Sequence, residues 1–96
     1  MDLRVTVRYF TTLRELAGNT EEKMEMEGGA TLAGLIAKVA SKYGEEARNY
    51  LYHEETRIDP SIYFMVNGVN AKLLSGLDTK LRDGDVVAII PPIGGG

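Results

Sequence analysis

Cysteine is missing from this 96-residue chain. That absence excludes disulfides, thiolate metal sites and a cysteine nucleophile. Histidine occurs once, as His53, so a histidine-cluster metal site and a histidine dyad are excluded too. No apolar run approaches the roughly 20 residues needed to cross a bilayer. The opening Met1-Asp2-Leu3-Arg4 lacks the apolar segment of a signal peptide. These absences predict a cytoplasmic protein with no membrane contact. Long blocks of one charge are also missing. The 11 basic residues are scattered among 14 acidic ones, for a net charge of −3, which argues against a nucleic-acid partner.

What is present is ordinary for a soluble domain, with 44% hydrophobic and 26% charged residues. A chain of this length forms one domain and buries about two thirds of its unfolded surface. The reading is a body over residues 1–91 and a flexible glycine-rich tail over residues 92–96.

Residues 3–10 alternate, with Leu3, Val5, Val7 and Tyr9 on one face and Arg4, Thr6 and Arg8 on the other, which predicts a half-buried strand. Thr11 or Thr12 is placed to cap a short helix that ends at Gly18. Residues 21–27 alternate again, and Met24 and Met26 fit strand packing. Thr31 then reads as an N-cap. Leu32, Leu35, Ile36, Val39, Ala40 and Tyr43 form one helical stripe that stops at Gly44. Residues 45–52 are weakly helical and residues 53–60 read as a loop. Residues 61–66 predict a strand, Asn67-Gly68 a tight hairpin, and residues 69–72 a short returning strand. Leu73, Leu74, Leu77 and Leu81 are expected to pin the next segment to the core. Asp83-Gly84-Asp85 is a turn, and residues 86–91 form the last strand. One sheet on one main helix is an α+β fold.

The last strand is apolar on both faces: Val86, Ala88 and Ile90 on one, Val87 and Ile89 on the other. One long helix covers only one face. The aliphatic residues of the other are either covered by short segments or left open as a docking surface. The strand runs into Pro91-Pro92-Ile93-Gly94-Gly95-Gly96. Two prolines stiffen the exit, and three glycines can thread a channel too narrow for side chains. With no cysteine, sulfur chemistry would have to use a backbone carboxyl. Ordering the glycines costs roughly 1–2 kcal/mol each, whereas burying Ile93 returns only about 1.5–3 kcal/mol. A working tail therefore needs a second contact surface on the body.

Taken in order, Val5-Thr6-Val7-Arg8-Tyr9-Phe10, Leu13-Arg14-Glu15-Leu16-Ala17-Gly18, Val66-Asn67-Gly68, Leu81-Arg82-Asp83-Gly84-Asp85-Val86-Val87 and the Pro-Pro tail resemble the MoaD/ThiS-like sulfur carriers. Within that family the likeness is nearest to the small subunits of molybdopterin synthases. The resemblance implies a ubiquitin-like β-grasp fold, with a mixed sheet of four or five strands on one main helix plus short helices. It implies that a ubiquitin-activating-type enzyme adenylates the Gly96 carboxylate with ATP, and that sulfur from a donor enzyme replaces AMP to give a thiocarboxylate. That sulfur would pass to a pterin precursor held by the molybdopterin synthase large subunit. Pro91, Pro92, Ile93, Gly94 and Gly95 would be the residues entering the partner's site. The carrier binds no cofactor and no metal in this reading, and ATP belongs to the partner. The family usually ends in two glycines, whereas three are present here.

Other uses of the same activated carboxylate are transfer of sulfur to a thiamine precursor, a tRNA base or cysteine synthesis, and an isopeptide bond to lysines of target proteins, as in ubiquitin-like modifiers. A β-grasp binding module with an inert tail is the remaining alternative. His53 reads as solvated surface, and Asp83 with Asp85 falls short of a cation loop. Gly28-Gly29 lacks the spacing and lysine of a nucleotide loop. Lys72 and Lys80 are either solubilising charges or partner contacts.

Overall fold

Alternation makes β1 (Asp2–Tyr9) a strand with one dry face. Val5, Val7 and Tyr9 are fully buried, while Arg4 and Arg8 are exposed. The computed structural model describes residues 2–54 and 57–91. β2 (Glu21–Glu27) runs antiparallel to β1, pairing Val5 with Met24 and Val7 with Glu22. Between them lies α1 (Thr11–Ala17), closed at Gly18 by a left-handed turn whose N–H donates to the Arg14 carbonyl. Neither Thr11 nor Thr12 caps this helix. Phe10 holds the N-cap position with no side-chain hydrogen bond, and Thr11 enters the first turn at φ +47°. The chain must reverse directly off the end of β1, and this leaves no residue of cap geometry for a threonine to occupy.

After the Gly28-Gly29 turn comes α2 (Leu32–Tyr43), capped as its sequence predicts. Thr31 Oγ1 accepts from the Gly34 N–H at 3.3 Å. Leu32, Leu35, Ile36, Val39 and Ala40 are buried beneath the sheet. The entry to α2 is tied to residues 79–81: Leu32 N–H donates to the Thr79 carbonyl and Leu81 N–H to the Ala30 carbonyl, both at 2.9 Å. α3 (Glu45–Leu51) follows Gly44 and buries Ala47 and Leu51. Residues 53–60 are not simply a loop, because β3 (Tyr52–Glu54) and β4 (Arg57–Ile58) form a small separate hairpin. Its polar residues carry no apolar alternation, so local pattern does not announce it.

β5 (Tyr63–Val66) turns at Asn67-Gly68 into β6 (Val69–Asn70). Both turn residues have positive φ, 51° and 82°, as a two-residue hairpin matched to strand twist requires. β6 stops at Asn70, whose side chain accepts from the Lys72 N–H. Two short 3₁₀ turns follow, Ala71–Leu73 and Gly76–Asp78. Ala71 and Leu81 face the core, but Leu73, Leu74 and Leu77 do not: they are 80%, 47% and 39% exposed. The expected leucine anchor therefore reduces to Leu81. Tight turns carry the intervening leucines outward, while the buried Thr79 hydroxyl donates to the Gly76 carbonyl and accepts from the Ser75 N–H.

β7 (Val86–Ile90) inserts between β1 and β5, giving the order β2-β1-β7-β5-β6. It runs parallel to β1 and antiparallel to β5. This mixed five-stranded sheet, with α2 packed on one face, is the β-grasp arrangement.

Candidate functional site

The site is built on β7. Its start is held by a side-chain clamp. Asn67 Nδ2 donates to Asp85 Oδ1 at 2.8 Å, while Asn67 Oδ1 accepts from the Val86 N–H at 2.9 Å. Asp85 Oδ2 takes the Arg82 N–H at 2.8 Å, and the Asp85 carbonyl accepts from the Thr6 N–H. Asp83 Oδ1 accepts from the Arg4 N–H at 2.9 Å. The acidic turn is thus a structural latch. Among the described residues no group of three histidine, cysteine or acidic side chains comes together.

From that clamp β7 runs with Val87 and Ile89 in the core and Val86, Ala88 and Ile90 on the opposite face. Among the described residues no helix covers that second face. Its neighbours follow from register. Val86 lies beside Thr6, Ala88 lies between Arg8 and Met65, and Ile90 lies beside Tyr63. Val86 and Tyr63 remain 37% and 39% exposed, and Ala88, Ile90 and Met65 are half-buried. The open face is divided. Its β1–β2 half is polar and carries the pairs Arg4–Glu25 (3.3 Å) and Arg8–Glu21 (3.7 Å). Its β7–β5 half is apolar and is bracketed by two cations resting on aromatic rings. The Arg8 guanidinium sits 5.9 Å from the Phe10 ring centre, and the Lys72 ammonium 5.8 Å from that of Tyr63. An apolar stripe edged by cations suits a partner surface that is aliphatic at its centre and acidic at its rim.

Pro91 is half-buried at the end of this stripe. Pro92, Ile93, Gly94, Gly95 and Gly96 lie outside the described residues. His53 is exposed on β3, in the small hairpin. Lys72 stands on the tail-exit side of the sheet, over the ring of Tyr63. Lys80 bridges to Thr31 at the entry to α2.

One cluster went unmarked in the sequence. Glu22 faces inward beneath β2, where its Oε1 accepts from the Tyr9 hydroxyl at 2.5 Å and from the Tyr43 hydroxyl, and its Oε2 pairs with Lys42 at 2.7 Å. The rings of Tyr9 and Tyr43 meet edge-on, 5.9 Å apart. Burial opposes ionisation of Glu22, but the hydrogen bonds from Lys42, Tyr43 and Tyr9 outweigh it and hold the carboxyl below its usual range. Burial, reinforced by the bond to Glu22, pushes both tyrosines up. The signal available was parity: Glu22 shares a face with Met24 and Met26, so an acid there needs partners.

Known proteins share this arrangement over nearly its whole length. The chain is 30% identical over 95 residues to the molybdopterin synthase sulfur carrier subunit of Chlamydomonas reinhardtii, covering 98% of this chain and all of that one. The solution structure of small archaeal modifier protein 1 from Methanosarcina acetivorans superposes with a TM-score of 0.84 at 30% identity, covering 100% and 99% of the two chains. A chain of the Amycolatopsis orientalis BexX/CysO complex matches at 30% identity with a TM-score of 0.72, covering 96% and 99%. A sulfur carrier subunit and a small archaeal modifier are thus both similar to this chain over nearly its whole length. Matched to the ThiS family model over residues 7–96, from the last three residues of β1 through the glycines, the chain belongs to the ThiS family, with sulfur carriers and small modifiers among its relatives.

Proposed function

We propose that the chain is the sulfur-carrying small subunit of a molybdopterin synthase, acting in the cytoplasm through the carboxylate of Gly96. A ubiquitin-activating-type enzyme docks on the apolar stripe of Val86, Ala88, Ile90, Met65 and Tyr63. Pro91 and Pro92 then direct Ile93 and the glycines into its active site. Attack of the Gly96 carboxylate on the α-phosphate of ATP expels pyrophosphate and leaves an acyl-adenylate. Hydrosulfide released by a donor enzyme adds to that carbonyl, expels AMP and loses its proton, which leaves a thiocarboxylate. The large subunit then presents the pterin precursor to this sulfur. The carrier itself supplies no acid, base, metal or cofactor; its contribution is to place one carbonyl carbon.

The observation that carries the reading is the uncovered aliphatic face of β7, the strand that leads directly into the tail. It is supported by the likeness to a carrier subunit over its full length. The similarity to an archaeal modifier favours a second reading, in which the same acyl-adenylate is passed to a lysine amine of a target protein. Incubation with an adenylating enzyme, ATP and a sulfur donor, followed by intact-mass measurement, separates the two. Oxygen-for-sulfur exchange, together with capture of a molybdopterin synthase large subunit, supports the first. Lysine-linked adducts without exchange support the second. An unchanged mass after the incubation, with no lysine-linked adducts in cells, refutes both.

A further inference from the structure

The 3₁₀ segment presents a projection and a hollow side by side. Leu73 is 80% exposed, the most exposed large apolar side chain among the described residues, and Leu74 and Leu77 flank it. Next to them opens a cavity of about 180 Å³ with an apolar lining that includes Ile58, Ile62, Phe64, Ala71 and Leu77. Its rim carries one charge of each sign, Asp59 and Lys72. A cavity of roughly 150 Å³ holds a benzene molecule, so this hollow has room for the four carbons of a leucine side chain. Asp59 is kept ionised by hydrogen bonds from the Ser61 hydroxyl and N–H, helped by nearby His53.

We infer that this face is a self-docking surface, in which two copies related by a twofold axis each insert Leu73 into the other's cavity. Two observations select a second copy as the occupant. Knob and hole share one short segment, since Ala71 and Lys72 belong to the cavity and Leu73 is the next residue, and a twofold contact requires such a self-complementary patch. The charges also match. Lys72 immediately precedes the knob, so it arrives with Leu73 at a rim that carries Asp59, and the exchange is reciprocal. The patch is small. Stable dimers bury about 800 Å² per partner, and a few side chains from one segment fall short of that, so the dimer forms and separates rapidly. This surface lies on the β5–β6 side of the fold and shares with the carrier's docking stripe only Lys72, whose ammonium rests on the Tyr63 ring; the knob and the cavity do not depend on the carrier reading.

Sedimentation equilibrium and two-dimensional NMR on the full chain, diluted from ~1 mM to ~10 μM, test the inference. The expected result is an average mass that rises with concentration, with dilution-dependent shifts at Ile62, Phe64 and Ala71. Leu73→Asp, an exposed substitution that leaves the core untouched, weakens association about tenfold or more. Lys72→Glu weakens it severalfold in the wild-type cavity. Association that Leu73→Asp leaves unchanged, or shifts confined to Val86 and Ala88, overturns the inference. So does a monomer at every concentration, which would leave the cavity to another kind of partner.

Discussion

Glu22 is in register with Val7 and shares the dry side of β2 with Met24, yet it is ionised. Lys42 and the two tyrosine hydroxyls make that possible, and they also link the sheet to the C-terminal turn of α2. Because the folded state holds this carboxyl below its ordinary range, the stability it contributes is complete above the unfolded glutamate pKa of about 4.3. That stability is lost as pH falls through the lower folded value. Glu22→Gln should cost about 1–3 kcal/mol near neutrality. In urea melts the gap between wild type and variant should narrow progressively as the pH falls below the unfolded glutamate pKa of about 4.3; a gap of constant size would show that the charge is not its source. Thr11 presents the opposite case, a β-branched residue at φ +47° with no cap bond in return. Such a conformation costs on the order of 1–3 kcal/mol. Thr11→Gly should therefore stabilise the fold by about 1 kcal/mol and raise Tm by about 5 °C. Thr11→Ala, which keeps a Cβ, should give no comparable gain in thermal melts.

Among the elements, β7 serves two purposes at once. Val87 and Ile89 fasten it to α2, while Val86, Ala88 and Ile90 stay on the side that no helix covers. Trimming the outer row should therefore separate recognition from folding. Val86→Ser is expected to raise the KM for activation by an adenylating enzyme about tenfold, with unfolding free energy changed by less than about 1 kcal/mol; steady-state kinetics and a urea melt read the two effects. Elements with strong local signals were legible in advance. Thr31 and Gly44 bracket α2, Asn67-Gly68 makes the β5–β6 turn, and the bounds of β2 follow from the alternation around Met24 and Met26. That β7 is apolar on both faces was legible too, but whether short segments would cover the second face was not, since that depends on where α1, α3 and the 3₁₀ turns settle. What escaped depends on partners distant in sequence. The β3–β4 hairpin has no alternation to reveal it. Leu73, Leu74 and Leu77 look like core residues until the 3₁₀ turns place them. Glu22 looks like solvent until Tyr9 and Tyr43 arrive from either side.

For the molecule as a whole, the proposed function assigns the body and the tail separable duties. Removing Gly95 and Gly96 should leave the circular dichroism spectrum and the melting curve unchanged, while abolishing ATP-dependent oxygen-for-sulfur exchange in the intact-mass assay. A shortened chain that still acquired sulfur would dismiss Gly96 as the reactive end. The central pairing of β1 with β7, where Thr6 meets Val86 and Tyr9 meets Ile89, has a consequence of its own. Synthesis delivers β7 last, and until it arrives Val5, Val7 and Tyr9 lack their inner neighbour, so the nascent polypeptide stays open. A product halted before residue 86 lacks the stripe on which the proposed function seats an activating enzyme. Under the proposed function, closing the clasp between first and last strands thereby acts as an inspection step: copies that lack β7 are refused, whatever the state of their glycines.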